Sequence, residues 1–373
     1  MLVPALQRLL EGRDPALVVT REGTESTWAA LRVGDEIDDD VALVVTTSGT
    51  TGAPKGALLT AAALTASGSA THHRLGGPGS WLLAVPPYHI AGLQVLVRSV
   101  LAGFPPVELE VSAGFDLTRL AGAVRQLAPG RRYTSLVAAQ LAKVLTDPAA
   151  TAALAELDAV LIGGGPAPRP VLDAAAAAGI RVVRSYGMSE TAGGCVYDGV
   201  PLDGVLLRIL ADGRIALGGP TLAKGYRNRV DPDPFAEPGW FHTDDLGAVD
   251  DSGVLRVLGR VDDAISTGGL TVLPGPVEAA LGSHPAVADC AVFGLADDRL
   301  GQRVAAAIVV RVGCAAPTLE AVRTHVAHAL DPTAAPRELH IVDELPRRGI
   351  GKIDRTQLVR RFACAGAQEA GRS

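Results

Sequence analysis

Short apolar runs alternate with alanine- and leucine-rich stretches through the first half of the chain, each run closing on Gly, Pro, Ser or Thr. "PALQRLLEG" has a helical pattern, and the apolar "ALVV" follows it before the acidic "GDEIDDD". "VALVVTT" is a continuous apolar run rich in β-branched residues, which predicts a strand buried on both faces. The Ala/Leu-rich "GALLTAAALTASGSATHHRL" reads as helix, and "WLLAVPP", "AVLIGGG" and "IRVVRSYG" read as further strands. Strands alternating with helices predict an α/β core whose loops at the strand ends carry the chemistry.

From about Val205 the texture changes. "GVLLRILADGRIALGGP" reads as two strands around "ADG", a hairpin signal, and "GVLRVLGRVDD" as a strand ending in charge. Beyond it, "VADCAVFGL", "RVAAAIVV" and "ELHIVDELP" read as strands, "LEAVRTHVAHAL" as a helix and "ACAGAQEAGRS" as a loose tail. The boundary falls near Arg260 to Asp263, which predicts domains at 1–261 and 262–373.

A chain of 373 residues suits two domains. Lys plus Arg number 34 against 40 Asp plus Glu, a net charge of −6, so no basic stripe is available for a nucleic-acid backbone. The apolar runs stop well short of bilayer-spanning length, and the opening "MLVPALQRLLEGRDP" does not read as a signal peptide. Cys195, Cys290, Cys314 and Cys364 are scattered with no CxxC spacing, as expected of reduced thiols in a cytoplasmic enzyme.

One stretch breaks the apolar texture. "TTSGTTGAPKGA", Thr46 to Ala57, gathers hydroxyls and glycines ahead of a single lysine. It fails the P-loop pattern, which needs G-x-x-x-x-G-K-[ST], and a plain strand-to-helix turn accounts for only part of it. Glycines let backbone N–H groups face an anion, hydroxyls add donors and a lysine adds charge. Thr47, Ser48, Gly49, Thr50, Thr51, Gly52 and Lys55 are therefore candidate ligands for a polyphosphate.

This stretch resembles the phosphate loop of the adenylate-forming superfamily, which comprises acyl-CoA synthetases, luciferases and nonribosomal adenylation domains. Four more motifs follow in that family's order: "SYGMSETAGG", "GWFHTDDLG", "GRVDDAISTGGLTV" and "GIGKIDR". The resemblance runs from Val41 to about Phe362. It implies a large N-terminal α/β domain, shortened ahead of the phosphate loop, and a small mobile C-terminal α+β domain. It implies ATP, Mg²⁺ and CoA as cofactor and co-substrates. It also implies a carboxylate attacking the α-phosphorus of ATP, followed by thiol displacement of AMP. By the same resemblance Lys352 is the catalytic lysine, and Ser185, Tyr186, Gly187 and Ser189 line the adenine and AMP. Glu190 holds the metal, Asp245 and Arg260 meet the ribose, and Asp262 is the hinge. Two positions depart from the pattern: Asp244 stands where glycine is usual, and Leu270 where an acidic residue is.

For the acyl group, "VPPYHIAGL" places His89 at a position where acyl-CoA synthetases often carry histidine, and no aspartate for an amino acid's ammonium is evident. The stretches "RRYTSLVAAQL", "LIGGGPAP" and "GGCVYDGVPLDGV" resemble the o-succinylbenzoate–CoA ligase family of high-GC actinobacteria. That likeness implies a dianionic aromatic keto acid as substrate. His89, with a catalytic role as well, Thr134, Ser135, Gly163 and Gly164 are then acyl-pocket candidates, and surface ion pairing is the plainer reading of Arg131 and Arg132. A ligase for another aryl or short-chain acid, a transferase to a carrier protein and a non-catalytic nucleotide-binding relative are the alternatives. The expected partners are small molecules and a second copy of the chain in a homodimer, with no nucleic acid and no membrane insertion.

Overall fold

The computed structural model describes residues 2–20, 25–46, 55–348 and 352–369. Two compact units emerge: 1–167, 174–243 and 249–255 form the larger, and 168–173, 244–248 and 256–373 the smaller.

In the larger unit, helix α1 (Leu2–Leu10) precedes strand β1 (Leu17–Val19) and the short α2 (Glu25–Ala30). β1 pairs parallel with β2 (Val41–Val45), which pairs antiparallel with β3 (Ala57–Thr60). β2 is buried at every position, as its unbroken apolar run predicts. The stretch read as one helix from Gly56 onward divides instead. Its first residues, Ala57 to Thr60, extend to pair with β2, and the Thr60 hydroxyl then accepts from Ala63 N at 3.0 Å to start α3 (Ala61–Arg74). An N-cap threonine sets that boundary against a local composition that favours helix throughout.

The main sheet is formed by β4 (Ser80–Leu83), β5 (Val107–Glu108), β6 (Arg132–Val137), β7 (Ala159–Gly163), β8 (Val182–Met188), β9 (Gly193–Tyr197) and β10 (Val200–Pro201). Its order is β10-β9-β8-β7-β6-β4-β5, parallel from β5 to β8 and antiparallel beyond. Helices α4 (Ile90–Ala102), α5 (Leu117–Gln126), α6 (Ala138–Val144), α7 (Pro148–Ala155) and α8 (Arg169–Ala177) fall between its strands in sequence. This is the predicted α/β alternation. Trp81, Tyr133, Leu64, Leu96 and Tyr197 are sealed in its core. A second sheet follows in the order β11 (Leu206–Ile209), β12 (Arg214–Gly218), β13 (Trp240–Val249) and β14 (Leu255–Arg260).

The smaller unit centres on β15 (Ile265–Thr267), β16 (Leu270–Val272), β17 (Val287–Asp297), β18 (Gly301–Val310) and β19 (Glu338–Ile341). β17 and β18 are apolar on both faces because each face meets its own layer. Val292, Val304 and Ala306 pack with Val277 and Leu281 of α9 (Pro274–Gly282) and Val322 and Val326 of α10 (Leu319–Ala327). On the other face, Phe293, Leu295 and Ala305 pack with Leu358 and Phe362 of α11 (Arg355–Glu369). A hairpin of β20 (Arg347–Arg348) and β21 (Lys352–Ile353) precedes α11. The helical backbone of α11 continues to Glu369, so the stretch read as a loose tail from Ala363 is helix for most of its length.

Candidate active site

Two clusters of predicted site residues form, one in each unit. In the larger unit, β8 ends in the "SYGMSE" motif, with Ser185, Tyr186 and Gly187 on the strand and Ser189 and Glu190 in a single 3₁₀ turn, Ser189–Thr191. Met188 N donates to Thr191 Oγ1 at 3.0 Å, and Thr191 Oγ1 in turn donates to Gly193 O at 2.7 Å, which closes the turn. A Cβ on Gly187 would run into the Gly193 carbonyl, so β8 and β9 approach closely only because the motif has glycine there. Gly163, at the end of β7, faces Ser185, and Gly164 follows it with φ +80°.

Glu190 is 8% exposed, and its Oε1 accepts a hydrogen bond from the Tyr226 hydroxyl at 2.6 Å. Lys55, directly before Gly56 and β3, holds its Nζ 5.5 Å from the centre of the Tyr226 ring. Gly56 has φ +68°, and a Cβ there would sit 2.7 Å from Leu31 and 2.9 Å from Val44, which accounts for the glycine after the lysine. Thr47, Ser48, Gly49, Thr50, Thr51 and Gly52 lie outside the described residues. Magnesium usually keeps several waters and takes one or two carboxylates alongside phosphate oxygens. A nearly buried carboxylate that shares Tyr226 with Lys55 fits that mode; among the described residues no group of three or more His, Cys, Asp or Glu side chains forms a metal cage.

His89 is the N-cap residue of α4, entered from "VPPY". A Cβ on Gly92 would strike the Pro86 carbonyl, so the first turn of α4 is pressed onto that loop and His89 is fixed by backbone contact. Its N donates to Pro86 O at 3.2 Å and its carbonyl accepts from Leu93 N at 3.0 Å. Thr134 and Ser135 are both buried on β6, where neighbouring side chains point to opposite faces. The Thr134 hydroxyl donates to Leu82 O at 2.9 Å, tying β6 to β4. Arg132 lies 3.4 Å from the Glu156 carboxylate and Arg131 3.9 Å from that of Asp158, the ion pairing read from the sequence.

The sequence reading missed one buried charge. Arg98 of α4 is 3% exposed, with its guanidinium 4.9 Å from the Trp81 ring and NH2 donating to the Tyr197 hydroxyl at 3.3 Å. Among the described residues its Nε has no partner and no carboxylate pairs with it. Burial lowers its pKa from the ordinary arginine value. Next to it, Trp81 Nε1 donates to His72 Nε2 at 3.3 Å. Burial first, and the Arg98 charge second, depress His72 to about 4.

In the smaller unit, Arg260 reaches Asp245 at 3.6 Å, Asp244 at 3.2 Å and Asp262 at 3.0 Å. Asp244, the departure from the usual glycine, is thus one of three carboxylates around the predicted ribose arginine. Asp262 belongs to the 3₁₀ turn Val261–Asp263. Its neighbour Asp263 accepts from Arg355 at 3.1 Å, and Arg355 also bonds Glu278 at 2.6 Å and Val292 O at 3.0 Å. Lys352 lies exposed on β21, in register with Arg348, while Gly349 and Gly351 lie outside the described residues. Leu270, where the acidic residue is usual, is exposed at the start of β16.

The larger unit thus ends a strand of its parallel sheet in the Ser185–Glu190 motif, and the smaller unit carries Lys352 on a hairpin. Residues 14–227 match the AMP-binding enzyme family and residues 276–352 the AMP-binding enzyme C-terminal domain, and the chain belongs to this adenylate-forming family. It is 80% identical over 365 residues to the probable 2-succinylbenzoate–CoA ligase of Mycobacterium tuberculosis, covering 97% of this chain and 95% of that one. Among solved structures it is similar to the o-succinylbenzoate CoA synthetase (MenE) of Bacillus subtilis in complex with the acyl-adenylate intermediate OSB-AMP. That similarity has a TM-score of 0.74 at 28% identity and covers 95% of this chain and 80% of that one. The same B. subtilis protein in complex with ATP and magnesium ion matches with a TM-score of 0.72 at 28% identity, over 95% and 82% of the two chains.

Proposed function

We propose that this enzyme is an acid–thiol ligase that joins o-succinylbenzoate to CoA at the expense of ATP, a step of menaquinone biosynthesis. The observation that carries the reading is the 80% identity to the M. tuberculosis ligase, sustained over 97% of the chain. A carboxylate oxygen of the acid attacks the α-phosphorus as the bond to pyrophosphate breaks. The CoA thiol then attacks the acyl carbon, the bond to AMP breaks, and the thiol gives up its proton.

Each residue has a distinct task in this proposal. Lys55 and the preceding hydroxyl and glycine loop hold the triphosphate, Tyr186 covers the adenine with Ser185, Gly187 and Ser189 around it, and Asp245 with Arg260 meets the ribose. Glu190 holds Mg²⁺, which when bound neutralises charge on the phosphates. Lys352 brings an ammonium to the point where two anions must meet, the most costly encounter in the reaction. His89, Ser135, Gly163 and Gly164 border the acid, Thr134 being held instead to Leu82 O on the other face of β6, and the small unit turns about Asp262 between the two half-reactions. Arg98, a buried guanidinium with no carboxylate partner among the described residues, is a candidate to meet the acid's second carboxylate. A cytoplasmic setting and a homodimer complete the proposal, and light scattering of the purified enzyme tests the dimer.

Mass spectrometry of products from ATP, Mg²⁺, CoA and o-succinylbenzoate, beside benzoate and short-chain acids, tests the substrate. The expected result is the mono-CoA thioester of o-succinylbenzoate together with AMP. Thioester from another acid alone would leave the class standing and remove the substrate. Lys352→Ala is expected to slow adenylation on the order of 10²–10³-fold, as loss of a single charge-stabilising group does. The same variant should still convert supplied acyl adenylate to thioester, and near-normal adenylation by it would remove Lys352 from its role.

A further inference from the structure

Tyr226 belongs to none of the five motifs, yet it touches the two side chains that would receive the metal and the triphosphate. It lies in "KGYRN", Lys224 to Asn228, an extended strip laid antiparallel against the chain leaving the phosphate loop, with Tyr226 bridged to Ala57. Arg227 N donates to Gly56 O at 2.7 Å, Asn228 N to Lys55 O at 3.2 Å and Leu58 N to Gly225 O at 3.0 Å. Ala223, just ahead of the strip, donates its N–H to the carbonyl of Glu190 at 2.9 Å, so the main chain of the metal candidate is held beside the strip. The ring of Tyr226 stands edge-on to Phe235 with centroids 5.5 Å apart, which fixes its direction. Its hydroxyl donates to Glu190 Oε1 at 2.6 Å, and Lys55 Nζ faces its ring at 5.5 Å.

We propose that Tyr226 is a positioning residue of the nucleotide site, setting the Glu190 carboxylate and the Lys55 ammonium in one frame for a magnesium–triphosphate. The inference rests on the proposed roles of Glu190 and Lys55. A carboxylate has two oxygens and about four acceptor directions, so a single hydroxyl can orient it and leave capacity for a cation. A hydrogen bond to an ionised carboxylate is short and strong, which makes it an effective restraint on a side chain that otherwise rotates. The ring contributes a weaker restraint, its electron-rich face attracting the lysine ammonium from below. Without the hydroxyl the carboxylate must be ordered when the metal arrives, and that ordering weakens metal-dependent binding.

Tyr226→Phe in the full chain isolates the hydroxyl, because the ring, the Phe235 contact and the backbone strip are kept. ATP binding is measured by calorimetry across a series of Mg²⁺ concentrations and also with EDTA. The expected result is a rise of roughly five- to tenfold in the Mg²⁺ needed for half-maximal ATP binding, as fits loss of one charge-assisted bond. Binding without Mg²⁺ should stay within about twofold, since only the metal's carboxylate has been loosened. Glu190→Gln should raise the Mg²⁺ requirement at least as far, and adding Tyr226→Phe to it should cause no further change, the signature of two groups acting as one. If Glu190→Gln shifts the Mg²⁺ dependence and Tyr226→Phe does not, the positioning role is overturned while Glu190 keeps its own. An equal loss of ATP affinity with and without Mg²⁺ in Tyr226→Phe overturns it too, by reducing Tyr226 to scaffolding. If neither variant alters the Mg²⁺ dependence, the role of Glu190 falls and the inference falls with it.

Discussion

Arg98 sits among Trp81, Tyr197 and His72 with its Nε unpartnered among the described residues, an arrangement that folding alone disfavours. A buried charge without a counter-ion costs free energy, and replacing it with an apolar chain of similar length often stabilises a protein. Arg98→Met is therefore expected to raise the melting temperature by a few degrees, the gain of about 1 kcal/mol that removing such a burden brings. If the arginine meets the substrate's second carboxylate, the same variant raises KM for o-succinylbenzoate at least tenfold and leaves KM for ATP within about twofold. Calorimetry and steady-state kinetics on one preparation check both halves. What the sequence offers at this scale is candidates written locally: Lys55, Glu190 and Lys352 stand inside motifs whose glycines and hydroxyls draw attention to them. Tyr226 and Arg98 escape notice because their partners are remote, Glu190 lying 36 residues from Tyr226 and Tyr197 lying 99 from Arg98.

At the scale of elements, continuous apolar runs translate directly into strands covered on both faces, as β2 and β17 do. Composition misleads where a strand and a helix share one Ala/Leu-rich stretch. Ala57 to Thr60 extends because β2 offers it an open edge, and that offer is a tertiary fact with no local signature. Glycines inside the motifs are more informative than composition, since each marks a close approach. Gly187→Ala would drive its Cβ into the Gly193 carbonyl and part β8 from β9 just where the Ser185–Glu190 motif turns. The expected cost is about 2–4 kcal/mol of stability in the larger unit with loss of measurable AMP binding, read by denaturant melts and by calorimetry. In the smaller unit, Arg355 ties the start of α11 to Asp263 and Glu278, so the hairpin bearing Lys352 and the turn bearing Asp262 are joined through one guanidinium.

For the whole molecule, the chain's three tryptophans, Trp28, Trp81 and Trp240, all fall in the larger unit, so tryptophan fluorescence follows that unit's unfolding by itself. It provides the means to follow His72, whose ring is packed beside Trp81. Folded, His72 titrates near 4; unfolded, it returns toward 6.5. Between those values the unfolded chain takes up a proton that the folded chain refuses, so stability rises with pH across that window. The contribution is complete above pH 6.5 and drains away as pH falls toward 4, and in urea melts it amounts to about 3 kcal/mol. His72→Gln should flatten that part of the profile, and an unchanged pH slope in the variant would assign the acid sensitivity elsewhere.

The strip "KGYRN" has two sides. While Tyr226 turns to Glu190, the guanidinium of its neighbour Arg227 gathers the carbonyls of Leu31 at 3.2 Å, Arg32 at 3.0 Å, Asp35 at 3.2 Å and Glu36 at 2.7 Å, and Asn228 takes that of Ala30 at 2.6 Å. The turn that follows α2 is thus clasped by the residue adjoining the one that steadies the nucleotide site. Linkage works in both directions: whatever affinity for ATP an ordered strip confers, bound ATP returns to the strip as order. An early segment of the chain, with no assigned part in the chemistry, is in this way a stakeholder in the nucleotide.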